Sequence, residues 1–424
     1  MYDRLPVTRR RCFLAGAAAL AFAVSAAATP AAEAQNRPFK IGFSMALTGG
    51  LAGAGKAALI GMQIWQEDIN AKGGLLGRQV ELVYYDDQTN PATVPGIYTK
   101  LLDVDKVDMV VSGYGTNLIA PAMPVVMQRG KTMMSLFGLG NNESYKYDRY
   151  FQIMPAGPEP RRGVSLGYLE LAKAQGLKKL AIVAADAEYA QNAAEGARIN
   201  AKELGLEVVY DKSYPPPTAD YTPIVRAINA TQPDVVFAAS YPPDSVGLLR
   251  ALGEVGPAAS IEMFGGGMVG LQYASVAEAL GSKVNTIVNY DYYVPEPSMQ
   301  FPGINEFLAK YQPRAKAAGV DPLGHYLPPW AYAYLQVLGD AINATKSTDD
   351  KVLAEYLHKT AFETIVGEVK FGPNGEWQEP RVLFVQYTGI ADGKAAEAYA
   401  GAGSRPILYP PEFKTGEWKP LSFK

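Results

Sequence analysis

The stretch from Pro38 to Asn90, PFKIGFSMALTGGLAGAGKAALIGMQIWQEDINAKGGLLGRQVELVYYDDQTN, leaves this chain little choice of fold. An apolar run, a glycine-rich loop, an amphipathic helical stretch, the Gly73-Gly74 stop and a second apolar run follow one another, which is the order of a parallel β-α-β unit. Such a unit buries both faces of its sheet only if more crossovers follow. The pattern does continue. Strand-like runs at 39–45, 79–85, 107–112 and 131–136 alternate with helical runs at 55–70, 91–103 and 118–129. A second series starts after Met154-Pro155-Ala156-Gly157, with strands near 179–184, 206–211, 234–239, 261–265 and 285–290 and helices near 189–204, 220–231, 243–255 and 271–281. Helical runs at 302–318, 328–345 and 350–359 and short strands at 366–371 and 381–388 close the chain. A length of 424 residues exceeds what one core usually holds, so the expectation is an α/β protein of two doubly wound, Rossmann-like parallel-sheet units.

The N-terminus reads as an address. Thr8, Arg9, Arg10 and Arg11 followed by Cys12, Phe13 and Leu14 match the twin-arginine export pattern, Cys12 to Ala28 is uncharged and alanine-rich, and Ala32-Glu33-Ala34 predicts cleavage before Gln35. Residues 1–34 are therefore expected to be a signal peptide and the mature chain a soluble protein exported to the periplasm. Their removal takes away four arginines and two acids, moving the formal charge from −3 to −5, which argues against nucleic acid as a partner. The only cysteine, Cys12, leaves with the signal, which excludes disulfides, thiolate zinc sites and a cysteine nucleophile. His325 and His358 form no metal-binding pair; His358, in AEYLHKT, reads as a solvated helix position and His325, in DPLGHYLPP, as a loop residue. No catalytic residue, metal or cofactor is expected.

The string EDINAKGGLLGRQVELVYYDD, Glu67 to Asp87, resembles the periplasmic solute-binding proteins of ABC importers that carry branched-chain amino acids and related compounds. The resemblance extends over nearly all of the mature chain. It implies two lobes joined by a three-crossover hinge near Gln152 to Ala156, Asn289 to Tyr292 and Phe371 to Gln378, with a ligand in the cleft between them. Lobe 1 would comprise 35–154 plus 291–371 and lobe 2 155–290 plus 372–424. It also implies that the chain is not an enzyme but a receptor that captures a small molecule by closing and hands it to an ABC permease in the inner membrane.

Ligands of open parallel sheets gather at the carboxyl ends of the strands, where loops lead into helix N-termini. After the first strand stand Thr48 and Gly49, in a loop whose glycines allow backbone to approach a ligand or simply turn. After the third, Thr116 reads as an N-cap whose hydroxyl and following amides form an anion cradle. It matches the family position that binds the ligand carboxylate, with Tyr114 just before it as packing or pocket wall. After the fourth come Phe137, Gly138 and Leu139, where family members hold an amino acid with a backbone group and a threonine; Leu139 takes the threonine position. From the second lobe the match adds Tyr189, Tyr241, and Gly267 and Met268, with Tyr292 at the crossover. Amino-acid binders commonly present a glutamate near position 267, yet no acidic residue lies between Met263 and Ser275. A buried ammonium without a carboxylate costs several kcal/mol. The expected ligand is therefore a carboxylate without an α-amino group. Ala54, at a position often aromatic in the family, leaves added room. A benzoate-like or phenylpropanoid acid comes first, a branched aliphatic acid or amide second, a branched-chain amino acid third.

Two other classes compete. Gly265, Gly267 and Gly270 spell GxGxxG after the strand-like IEMF, and Asp291 follows 26 residues after Gly265, the outline of a dinucleotide fingerprint and so of an exported NAD(P)-dependent oxidoreductase. The sensing lobe of a receptor shares the fold but normally comes with a membrane anchor or signalling domain.

Overall fold

A computed structural model describes residues 37–216 and 218–423, so the expected signal sequence lies outside the described residues. The first sheet contains β1 (Phe39–Met45), β2 (Val80–Asp86), β3 (Met109–Tyr114), β4 (Met133–Leu136) and β5 (Tyr150–Gln152), in the order β2-β1-β3-β4-β5 and parallel throughout. Its connections are α1 (Ala52–Ala71), α2 (Val94–Asp103), α3 (Thr116–Ile119), α4 (Met123–Gln128) and α5 (Asn141–Tyr145). The continuous helix expected at 118–129 is broken into α3, a 3-10 turn at Ala120–Ala122, and α4. Pro121 and Pro124 are the cause, since neither has an N–H to extend a helix already begun.

The second sheet holds β6 (Lys179–Ala185), β7 (Glu207–Tyr214), β8 (Val235–Ser240), β9 (Met263–Met268) and β10 (Val288–Asp291), all parallel. A hairpin, β11 (Ala361–Thr364) and β12 (Gly367–Lys370), stands apart. Two antiparallel strands, β13 (Leu383–Gln386) and β14 (Ile407–Tyr409), extend the second sheet to the order β14-β13-β10-β9-β8-β6-β7. Helices α6 (Pro160–Ala174), α7 (Glu188–Leu204), α8 (Thr222–Ala230), α9 (Pro242–Val255) and α10 (Ala274–Leu280) belong to this half, followed along the chain by α11 (Ile304–Ala318), α12 (Pro328–Thr345), α13 (Asp350–Lys359) and α14 (Ala395–Ala400). No helix among the described residues is long and apolar enough to cross a membrane.

Helix α6 has no counterpart in the periodicity reading. Gly163 and Gly167 weaken the apolar stripe of PRRGVSLGYLELAKA, but Gly167 lies where a Cβ would come within 2.4 Å of the Tyr409 ring. The glycine lowers helix propensity and permits close packing in the same stroke. Helices α11 and α12 return to pack on α1; at Gly61 a Cβ would meet the Pro328 carbonyl oxygen at 2.4 Å. The chain thus passes between the two halves at 153–159, 292–303 and 371–382. The first and third passages are tied: Trp377 Nε1 donates to the Ile153 carbonyl at 2.9 Å and the Arg381 amide to Pro155 at 2.8 Å.

The dinucleotide outline does not survive folding. MFGGGM is all strand β9, in mid-sheet between β10 and β8, so Gly265 and Gly267 are not in a phosphate-binding turn before a helix. A Cβ on Gly265 would meet the Val288 carbonyl oxygen at 2.1 Å, and one on Gly266 the Phe237 ring at 2.5 Å. These glycines serve packing. Asp291 is fully buried and bonded to Arg405, not open to a ribose.

Candidate ligand chamber

The carboxyl ends of β3 and β4 face those of β8 and β10 across the two halves, and a narrow chamber with a cavity volume of about 20 Å³ lies between them. Six of the expected residues line it: Tyr114, Thr116, Phe137, Tyr189, Tyr241 and Tyr292. Leu51, Gly115, Met154, Val269, Tyr290 and Tyr326 complete the wall. Tyr326 precedes α12 and ends no strand, so a search of strand ends passes over it; Tyr290, inside β10, reads as ordinary strand sequence.

Thr116 is not the cap residue. Gly115, at φ +111°, takes the N-cap position, and Thr116 becomes the first residue of a four-residue helix. Its hydroxyl oxygen accepts the Leu139 amide at 3.1 Å, which leaves its own hydrogen to donate. Phe137 adopts φ +60°, a left-handed conformation uncommon outside glycine. Its ring meets Tyr292 edge-on at 4.9 Å and Tyr326 at 5.6 Å, while Tyr292 and Tyr326 stack at 5.9 Å. From the other half, the Tyr189 amide donates to the Tyr241 hydroxyl at 3.2 Å and the Tyr189 hydroxyl to the Gly267 carbonyl at 3.2 Å. The Tyr290 and Tyr326 hydroxyls lie 2.9 Å apart.

The remaining expected residues stand outside the wall. Thr48 is exposed and donates its hydroxyl to Asp86 at 2.7 Å, and Gly49 folds against Gln88 and Thr89 at φ +83°, so this loop is bound to β2 and its turn. Gly138 gives its carbonyl to Gln152 Nε2 at 2.8 Å, and the Phe137 amide donates to Gln152 Oε1 at 3.1 Å. Leu139 is fully buried, and its carbonyl accepts Asn192 of α7 at 2.8 Å, a bond between the halves. Met268 exchanges both backbone groups with the Asn289 amide, at 2.9 and 2.8 Å. These backbone groups shape the chamber and are already partnered.

Every lining side chain is uncharged. Burial pushes the Tyr114 phenol up to about 12 and raises Tyr189, Tyr241, Tyr290, Tyr292 and Tyr326 as well, so all stay protonated and act as neutral donors.

Charge sits directly behind this wall. Asp291 accepts the Tyr292 amide at 2.8 Å and Arg405 Nη1 at 3.2 Å, and Arg405 Nη2 reaches His325 Nδ1 at 2.8 Å. All three are buried. Burial lifts Asp291 to about 6 against the pull of Arg405; burial, then Arg405, holds His325 well below the ordinary imidazole range. The loop residue His325 is thus a buried acceptor for Arg405. His358 is also other than the solvated residue expected: half-buried, it stands 3.1 Å from the Gly372 carbonyl and 2.9 Å from that of Asp148, joining the third passage to the first half.

The family described as "Periplasmic binding protein" matches residues 38–394. A Leu/Ile/Val-binding protein homolog of Brucella suis is 28% identical over 402 residues, which cover 91% of this chain and 97% of that protein. Among solved structures, a branched-chain amino acid transporter substrate-binding protein from Streptococcus pneumoniae in complex with isoleucine superposes with a TM-score of 0.71 at 18% identity, over 88% of this chain and 100% of the other. An ABC transporter solute-binding protein from R. palustris in complex with benzoate gives 0.70 at 16% identity, over 89% and 99%. At these identities the two structures speak for the fold.

Proposed function

Since the chain belongs to the periplasmic binding protein family, the solute-binding proteins of ABC transporters, we propose that it captures a small aromatic carboxylate in the tyrosine chamber and delivers it unaltered to an ABC permease in the inner membrane. The observation that carries this reading is the wall itself: six phenol rings and Phe137, with no acidic side chain among the lining residues to meet an ammonium group. Aromatic rings offer an aromatic ligand large contact area and edge-to-face packing. A carboxylate there would be met by hydroxyl donors, with the free hydrogen of Thr116 first among them. The benzoate held by the R. palustris protein of the same fold is consistent with such a ligand, and the isoleucine held by the S. pneumoniae protein is the competing one.

The mechanism on this reading is closure about the three passages. Lobe 1 (35–154 plus 291–371) supplies Tyr114, Thr116 and Phe137; lobe 2 (155–290 plus 372–424) supplies Tyr189 and Tyr241. A ligand that touches both binds the closed form better and shifts the population toward it. Residues 1–34 would direct export by the twin-arginine route and be removed.

Calorimetric titration of the processed chain, residues 35–424, with benzoate, 4-hydroxybenzoate, isovalerate and leucine tests the reading. Binding of the aromatic acids ahead of leucine, with each compound recovered unchanged, supports it; binding of leucine with no heat from either aromatic acid overturns it.

A further inference from the structure

The segment that follows Phe137 is bonded to both halves of the molecule. Toward its own half, the Leu139 amide donates to the Thr116 hydroxyl oxygen at 3.1 Å, and Asn141 Nδ2 donates to the Thr116 carbonyl at 3.3 Å. Toward the other half, the Leu139 carbonyl accepts Asn192 Nδ2 at 2.8 Å, and Glu143 Oε2 stands 2.7 Å from Arg161 Nε of α6. Gly140 lets the two sides come this close. It sits at φ +70°, and Arg161 Nε lies 2.7 Å from where a Cβ would stand, so a side chain there would be both strained and blocked. Arg161 keeps a second partner inside its own half, Glu195 at 2.6 Å, so parting the halves does not strand its charge.

Asn192 lies three residues beyond the chamber residue Tyr189 on α7, a spacing that puts both on one face of the helix. It is part-buried, whereas Leu139, which it holds, is fully buried. Leu139 in turn occupies a lone pair of the Thr116 hydroxyl. A hydroxyl oxygen that accepts on one side carries its hydrogen on another, so the Leu139 amide governs where the Thr116 hydrogen points.

Resting on the reading above, we infer that Asn192 is a positioning residue: as the halves close, it holds Leu139 against Thr116 and so turns the Thr116 hydrogen toward the ligand's carboxylate. Asn192 touches no ligand and acts through Leu139. The second half then completes a donor that belongs to the first, which favours the liganded closed form beyond the direct contacts of Tyr189 and Tyr241. Arg161 steadies the same segment through Glu143 with a smaller share, because that pair is partly exposed.

A double-mutant cycle tests this. Benzoate and leucine, each bearing a carboxylate, are titrated into the processed chain, its Asn192→Ala and Thr116→Val variants and the double variant, with melting temperatures recorded for each. With whichever compound the wild type binds, Asn192→Ala is expected to weaken affinity about tenfold alone and less than about twofold beside Thr116→Val, where the hydroxyl it positions is gone. Asn192→Leu, close in size and without a donor, carries the cycle should Asn192→Ala not fold. An equal loss in both backgrounds assigns Asn192 to closure alone and overturns the inference, as does an unchanged affinity; both outcomes leave the aromatic-acid reading intact. That reading fails instead when leucine binds and benzoate does not, and the cycle is then decided on leucine. Absence of binding by both compounds overturns the two together.

Discussion

The chamber wall and the cluster directly behind it are both buried and both polar, yet they are made of different chemistry. In the wall, the polar atoms belong to neutral phenols and Thr116, and the Thr116 hydrogen remains uncommitted. Behind Tyr292, Asp291, Arg405 and His325 carry or control charge and are bonded to one another. A buried ion needs a permanent partner, whereas a ligand arrives and leaves; on the proposed reading, charge holds the wall and hydroxyls are left to meet the ligand.

The largest effect should come from breaking the charged side. Arg405→Met leaves Asp291 buried without its cation and should lower unfolding stability by about 3–5 kcal/mol in urea titration. A loss below about 1 kcal/mol would mean that the cluster does not hold the wall.

On the chamber side, Thr116→Val keeps the shape and removes the donor. Benzoate affinity should weaken by about 1.5–3 kcal/mol, the range for a hydrogen bond to a charged group. An unchanged dissociation constant would take Thr116 out of the site.

The two regions also respond differently to pH, since the phenols do not titrate near neutrality whereas His325 does when unfolded. Its folded value lies below the ordinary 6.5, so the unfolded chain binds more protons as pH falls through that range, and stability is lost on acidification. Asp291, raised to about 6, acts with the opposite sign and is common to wild type and variant. Between pH 7 and 5.5 the wild type should therefore lose about 1 kcal/mol more than His325→Gln, read from urea midpoints at the two pH values. Equal losses would show that His325 gains a proton without disturbing the cluster.

The smallest effect belongs to a residue that sequence reasoning placed in the site. The Thr48 hydroxyl is spent on Asp86 in an exposed loop, so Thr48→Ala should change benzoate affinity by less than about 0.5 kcal/mol. A change as large as that of Thr116→Val would return the 48–49 loop to the chamber.

Sequence alone determined the long parallel strands and most of the helices between them, because a parallel strand buried on both faces leaves an apolar run and its crossover leaves a 3.6-residue period; the three- and four-residue strands β5, β11 and β14 are too short to leave such a signal. It also located the strand ends at which Tyr114, Thr116 and Phe137 stand, since in a doubly wound sheet those ends share one edge, while Tyr189 and Tyr241 came from the family resemblance. It could not assign the glycines of β9, whose spacing is the same in a phosphate loop and in a crowded strand; only the Phe237 ring and the Val288 carbonyl beside them decide which. Nor could it place Tyr326, or join Asp291 to Arg405 across 114 residues of chain. A hydroxyl's availability depends on what the rest of the molecule brings within 3 Å of it. Thr48 and Thr116 look alike as residues after strands, and tertiary structure gave one a carboxylate to bind and left the other with a hydrogen to spare.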